Sequence, residues 1–309
     1  MISNFKPSYL KLHSIGELKR RADQLWSMLE NCQLCPRNCK VNRLEGKKGI
    51  CKATGELEIS SYSPHFGEER SLVGKHGSGT IFFTHCNLRC IFCINWDISI
   101  GGNGRNSTIE ELTRIMLYLQ EIGCHNINTV TPTHYLPHIL KALDIAVSNG
   151  LKLPLVYNTS GWEHLQILKL LDGIVDIYLP DFKYFDSENA KRYSIGAESY
   201  PETTKKAILE MHRQVGIAKP NSNGIMEKGL MIRHLVMPNN ISGSKEIIQW
   251  IAGNLPKDTY VNIMSQYRPD YKALEYPMIG RSLKNNEYKE IAVFAKELGL
   301  TNLDIQGYY

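Results

Sequence analysis

From residue 79 onward, short apolar runs alternate with amphipathic stretches, and that rhythm leaves few folds open. "GTIFFT" (79–84), "NINTVT" (126–131), "LPLVYN" (153–158), "GIVDIYL" (173–179), "LMIRHLVM" (230–237) and "TYVNIM" (259–264) read as strands, with "NLDIQ" (302–306) as a last one. Helical stretches lie between them. "STIEELTRIMLYLQEIG" opens with a capping box, Ser107 and Glu110. "YLPHILKALDIAVSNG" closes at Gly150, and "NEYKEIAVFAKELG" stops at Gly299. "PETTKKAILEMHRQVG" carries Pro201 near its start and Gly216 just past its end. "HLQILKLL" and "SKEIIQWIAG" are two further helices. Repetition of this kind builds βαβ units with right-handed crossovers and a parallel sheet. Six or seven strands are too many for a small open sheet and too few for an eight-fold barrel. The expectation is an α/β fold, a partial (β/α)6-type TIM barrel over residues 79–309, with active residues at the C-terminal ends of its strands.

Residues 1–78 break the rhythm. A helix around "IGELKRRADQLWSMLE" leads into a cysteine-rich, glycine-containing segment and then "ELEISSYSPHFGEERSLVG". This part is expected to be a small metal-binding module preceding or draping over the barrel. A length of 309 residues suits two such units, and 42% hydrophobic residues supply a sizeable core. No run of 18 apolar residues is present, so no membrane partner is expected. The first twenty residues lack a secretory h-region, which points to the cytoplasm. The net charge of +5 is spread over short basic clusters interleaved with acids, the pattern of a solvated face rather than a nucleic-acid surface.

Seven of the eight cysteines fall between residues 32 and 93, in two groups. A reducing compartment argues against disulfides and for metal or iron–sulfur ligation. Cys124, just before an apolar strand, reads as a small buried residue. Cys32, Cys35, Cys39 and Cys51 are spaced C-x2-C-x3-C-x11-C and make a complete four-thiolate set. That suits structural zinc or an auxiliary iron–sulfur cluster, and the spacing does not choose. Cys86, Cys90 and Cys93, directly after the first barrel strand, are only three. A closed zinc site needs four ligands, and His85, adjoining Cys86, is badly placed to be the fourth. A cubane held by three thiolates instead keeps one iron open for chemistry.

The run Cys86, Cys90, Phe92, Cys93, C-x3-C-x-(aromatic)-C after a first strand, resembles the signature of the radical S-adenosylmethionine (SAM) superfamily. The resemblance implies a [4Fe–4S] cluster whose open iron binds the amino and carboxylate groups of SAM. Reduction then yields a 5′-deoxyadenosyl radical that takes a hydrogen atom from a substrate, and Phe92 would sit against the adenine. Within the superfamily the chain resembles the pyruvate formate-lyase activating enzyme group. "CQLCPRNCKVNRLEGKKGICKA", "FGEERSLVGKHGSGTIFFTHCNLRCIFC", "NTVTPTHY", "LPDFKYFD" and "LMIRHLVMP" carry that likeness over nearly the whole chain.

The likeness is incomplete at the second strand. Family members commonly have Gly-Gly-Glu there to hold the methionyl ammonium, and this chain has "VTPTHY" without a carboxylate. Thr131 and Thr133, with the carbonyls around Pro132, are the expected acceptors. Asp181-Phe182-Lys183 resembles the activating enzymes' Asp-x-Lys, which implies Lys183 near the SAM carboxylate or substrate and Asp181 near the sulfonium. A monovalent cation could sit there, completed by Asn158 and Thr159. Arg233 and His234 form a charged pair in an apolar strand, which must face a polar cavity or pair internally. Arg233 is thus either a cofactor or substrate ligand or part of a buried salt bridge. Gln266, Tyr267, Arg268, His134 and Tyr135 are substrate-side candidates. The leading substrate is a glycyl residue on a partner protein, with another peptide or a small molecule as the alternative. An electron donor such as flavodoxin or ferredoxin is implied. A non-catalytic nucleic-acid module would instead need four ligands at each group and a basic face.

Overall fold

The computed structural model describes residues 5–306. Its strands are β1 (Leu57–His65), β2 (Ser78–Phe83), β3 (Arg105–Ser107), β4 (Ile127–Val130), β5 (Leu155–Thr159), β6 (Ile177–Pro180), β7 (Gly229–Leu235), β8 (Tyr260–Met264) and β9 (Leu303–Ile305). They form one sheet in the order β3-β1-β2-β4-β5-β6-β7-β8-β9. The seven from β2 to β9 are parallel neighbours, and β1 joins β2 and β3 antiparallel. The seven parallel strands are the ones expected.

β5, β6 and β8 are buried at every position, as strands covered on both faces must be. Alternation then sorts their side chains into two cores. Val156, Ile177, Leu179, Met231 and Tyr260 pack with Leu72, Ala218 and Met226 on one face. Tyr157, Tyr178, Ile232 and Val261 belong to the larger cluster shared with the helices. A separate core on the helix-free face requires the sheet to curl around it. The end strands β3 and β9 do not pair, so the barrel is open. Leu72, on the short helix Arg70–Val73, plugs its N-terminal side, where Met226 N–H donates to the Ser71 carbonyl (2.8 Å).

Two strands lie outside the sequence expectation. β1 places residues 57–65 in the sheet, ahead of residue 79. β3 takes Ser107 as its last residue, so Ser107 does not cap the next helix. Thr108 does, accepting from Glu111 N–H (3.1 Å) at the start of Ile109–Glu121. The helix Glu17–Ser27 packs on Leu136–Ser148, with Trp26 edge-on to His138 at 4.9 Å. Arg43, 1% exposed, donates to the carbonyls of His134 (2.7 Å) and Thr54 (2.7 and 3.0 Å), mooring the cysteine-rich segment to the β4 end. Among the described residues, no helix is long and apolar enough to cross a membrane.

Candidate functional site

Backbone hydrogen bonds carry the parallel array past the strand ends. Thr131 N–H donates to the Asn158 carbonyl, Asp181 N–H to Thr159 and Phe182 N–H to Arg233 (2.9, 2.9 and 2.7 Å). Side chains scattered through the sequence thereby meet on one rim. Gly161 permits the close approach of the β5 and β6 ends: its φ is +80°, and a Cβ there would fall 2.2 Å from the Asp181 carbonyl oxygen. The rim surrounds a cavity of about 230 Å³, partly open to solvent. Cys86, Cys90, Cys93, Phe92, Thr131, Asn158, Thr159, Asp181, Lys183 and Arg233 all line it, as do Gln266, Tyr267 and Arg268.

The three sulfurs are provided with hydrogen-bond donors. Leu88 N–H reaches Cys86 Sγ (3.3 Å), Ser194 Oγ donates to Cys90 Sγ (3.1 Å), and Ser99 Oγ lies 3.2 Å from Cys93 Sγ. Burial pushes the Cys86 thiol up to about 11 and the Cys90 thiol up to about 12, the latter against the pull of Lys183. Such thiols ionise when a metal takes the place of the proton. Phe92 packs against Tyr184 and Tyr267, at ring separations of 6.3 and 5.8 Å.

The cations of the cavity are already partnered. Lys183 Nζ lies 2.7 Å from Asp181 Oδ2. Burial lowers the lysine's pKa, but Asp181 and the nearby Cys90 and Cys93 thiols outweigh it and leave the group raised. Arg233 is held bidentate by Glu69 (Nε and Nη2, both 2.7 Å), is paired with Glu68, and donates to Asn158 Oδ1 (3.3 Å). Asn262 donates to the same Glu69 (2.9 Å). Of the two readings of Arg233, the buried salt bridge is the one observed, although the residue also lines the cavity. His234 does not share that environment. Period-two alternation turns it outward, where Phe182 O and Ser244 Oγ hold its ring nitrogens (each 2.8 Å). The oxygens expected to surround a monovalent cation are engaged otherwise: Asp181 by Lys183, Asn158 by Arg233, and Thr159 by Glu163.

Glu163, like Glu69, is a residue that sequence reading missed. It lies beyond the end of β5 and is 1% exposed; Thr133 Oγ1 donates to it (2.6 Å), as do Thr159 Oγ1 and Tyr157 OH (3.3 Å). Burial lifts its carboxyl to about 7 despite those three donors. The expected role of Thr133 fails for this reason. A turn at Thr131 (φ +54°) and the 3-10 segment Thr133–Tyr135 send its hydroxyl to Glu163, and Thr133 does not line the cavity. His134 and Tyr135 do not line it either. His134 Nε2 lies 2.8 Å from the Thr84 carbonyl, and Tyr135 packs on Phe83. Thr159 and Tyr157 lie only four and six residues before it, but Thr133 is thirty residues away, and only the fold brings that hydroxyl to the carboxyl.

In the front quartet, Cys32 N–H donates to Val41 O and Lys40 N–H to Cys32 O (both 3.0 Å), folding the segment back on itself. Ile50 N–H reaches Cys39 Sγ (3.4 Å), and a Cβ on Gly49 would lie 2.7 Å from that sulfur. The backbones of Arg37 and Ala53 favour the ionised forms of Cys35 and Cys51 respectively. Burial raises the Cys35 thiol, and the thiols of Cys51, Cys32 and Cys39 raise it further, so the four stand together. Among the described residues, no three His, Cys, Asp or Glu side chains converge on a point the size of a single ion. Four thiols on one folded-back segment suit the ligand chemistry of structural zinc and of an iron–sulfur cluster alike.

The profile of the Radical SAM superfamily matches residues 80–226. The uncharacterized protein MJ0674 of Methanocaldococcus jannaschii is 35% identical over 284 residues, 89% of this chain and 77% of that one. The uncharacterized protein MJ0808 of the same organism is 26% identical over 268 residues, covering 80% and 73%. The chain belongs to the radical SAM superfamily, whose members hold a [4Fe–4S] cluster and SAM. Among solved structures, methylornithine synthase (PylB) aligns with a TM-score of 0.46 at 16% identity, over 69% of this chain and 60% of that protein. A radical SAM methyltransferase from Sphaerobacter thermophilus aligns with a TM-score of 0.46 at 14% identity, over 70% and 64%.

Proposed function

We propose that this chain cleaves SAM reductively, with Cys86, Cys90 and Cys93 holding three corners of the cluster and the fourth iron facing the cavity. One observation carries this reading: three thiols line the cavity at the strand ends, and no other cysteine and no histidine lines it among the described residues. When bound, cluster and SAM supply a 5′-deoxyadenosyl radical able to take a hydrogen atom from a C–H bond, and the chain's own part is positioning. In this reading Lys183 meets the SAM carboxylate and Asp181 the sulfonium. Phe92 offers an apolar face to the adenine, and Thr131 with its neighbouring carbonyls offers acceptors to the ammonium. Arg233 belongs to the floor beneath them, neutralised by Glu68 and Glu69.

For the substrate we favour a polypeptide, a glycyl residue of a partner protein first, on the activating-enzyme likeness of Asp181-Phe182-Lys183 and the apolar mouth. Ile94 lines that mouth and is 48% exposed; Trp96, close by, is 41% exposed and stacks on Tyr271. Flavodoxin or ferredoxin would supply the electron. The front quartet is proposed to hold an auxiliary iron–sulfur cluster, with zinc as the alternative. Anaerobic reconstitution followed by reduction with SAM present is expected to give 5′-deoxyadenosine; its absence from fully loaded protein would sink the proposal. In the same sample, about eight irons mean two cubanes and about four irons plus one zinc mean a structural front site. The peptide reading needs a glycyl-radical doublet on a partner, and mixtures with glycyl-radical proteins that never yield one would exclude it.

A further inference from the structure

One residue of the front module reaches both cysteine groups. Arg37 stands between Cys35 and Cys39 in the chain. Its side chain reaches the other group. Nε donates to the Asn87 carbonyl (2.9 Å) and Nη2 to the Leu88 carbonyl (3.3 Å), both inside the 86–93 loop. Nη2 also donates to Ser194 O (3.0 Å), and Nη1 to the carbonyls of Ile195 and Gly196 (3.2 Å to the latter). All five N–H donors of the guanidinium are thereby used. Its face covers the Trp162 ring at 4.6 Å, and Asn87 Nδ2 reaches the Trp162 carbonyl (3.5 Å).

The two segments so joined lie 50 and 157 residues away in the sequence. Both end on the same sulfur site: one contains Cys86 and Cys90, and the other contains Ser194, whose hydroxyl donates to Cys90 Sγ. A surface arginine needs no such set of partners. A guanidinium is rigid and always charged, so a fork that binds two loops at once fixes their spacing as a lysine would not. It also lies within electrostatic reach of Cys35 and Cys39 on one side and of Cys86 and Cys90 on the other. Hydrogen bonds and charge around an iron–sulfur cluster set its reduction potential. One-electron reduction adds a negative charge, which a half-buried cation nearby favours.

We propose that Arg37 is a positioning residue that couples the two cysteine sites. Loading the front quartet fixes Arg37; its fork fixes the 86–93 loop, and its charge favours the reduced state of the group held there. The proposal rests on the radical SAM reading of that site. It is tested by potentiometric titration of the full chain, anaerobically reconstituted, reading the cluster signal that responds to SAM. Arg37→Gln is expected to lower the reduced-to-oxidised ratio at a fixed potential tenfold, about 59 mV for one electron. Arg37→Lys, which keeps the charge and loses the fork, is expected to shift it less. Cys51→Ser, which opens the front site, is expected to shift the ratio in the presence of Arg37 and not in Arg37→Gln. Unchanged potentials in both Arg37 variants, or a Cys51→Ser shift of equal size in either background, would overturn the proposal. Should Cys51→Ser fail to fold, amide hydrogen exchange across 86–93 decides: faster in Arg37→Lys is expected, and unchanged protection refutes the clamp. Wild-type protein with full iron but no SAM-responsive signal refutes the family chemistry instead, and the exchange measurement still judges the clamp.

Discussion

The two cysteine groups of this chain are built from the same side chain and differ in what lies beside the sulfurs. The quartet folds back on itself. Carbonyl-to-amide bonds tie Cys32 to Val41 and Lys40, and Gly49 is pressed close to Cys39. The trio sits on a strand end and faces a cavity of about 230 Å³ lined by Lys183, Asp181 and Phe92. A complete thiolate set needs nothing from outside, whereas an incomplete one beside a cavity invites a ligand that brings its own donors. On the functional reading proposed above, the quartet serves mainly the fold and the trio the chemistry.

Substitutions should divide along that line. The largest effect is expected from Cys90→Ala: 5′-deoxyadenosine formation falls to the level seen without enzyme, and the thermal midpoint hardly moves. Cys51→Ser should do the reverse at the level of folding, losing front-site metal and the folding free energy that metal contributes. Calorimetry and product analysis on the two variants together would break the comparison if both lost the same property.

Next in size is the polar floor beneath the trio. Arg233→Ala leaves Glu68 and Glu69 facing each other without their cation. Breaking a buried pair in this way costs about 3–5 kcal/mol, readable as a lowered denaturant midpoint. A near-neutral result would mean that the floor is wet and the pair dispensable.

Glu163 gives the comparison a pH signature. Its folded pKa of about 7 lies above the ordinary carboxyl value of 4.5, so between those values the folded state binds the extra proton. Stability should therefore fall as pH rises from 4.5 to about 7 and level off above, by up to about 3 kcal/mol from this group. Asp176, raised to about 6 by burial, slopes the same way and remains in the Glu163→Gln variant. Glu163→Gln should flatten the curve through pH 7, and an unchanged slope would show that Glu163 does not titrate there. The smallest effect belongs to Lys183→Gln, expected to weaken SAM binding about tenfold, or 1.4 kcal/mol. Equilibrium binding would show it, and unaltered affinity would remove Lys183 from the cofactor's reach.

The seven parallel strands were legible because each is a β-branched or aromatic run bounded by turn residues. The cysteine spacing was legible because chelation by one loop is a local property. β1 escaped notice because "LEISSYSPH" is half polar, and its partner strand lies beyond a plug helix. β3, three residues long, has no pattern to read, and its presence moved the helix cap from Ser107 to Thr108. Glu163 and Glu69 were invisible for a different reason. Each depends on a partner far away in the sequence, Thr133 for Glu163 and Arg233 and Asn262 for Glu69. Arg233 was noticed as a charge in an apolar strand, but only the fold shows that Glu69 already holds it. Thr133 was misjudged because one residue with positive φ, Thr131, turns the next side chains away from the cavity.

The central claim is an open iron beside the cavity, and it meets its most direct test in the electron paramagnetic resonance of the reduced, iron-loaded chain with and without SAM. Addition of SAM is expected to change the signal of one cluster, in the wild type and in Cys51→Ser alike. A signal from fully loaded protein that SAM leaves untouched would mean that the three-cysteine site has no vacant position, and the functional reading would fall with it.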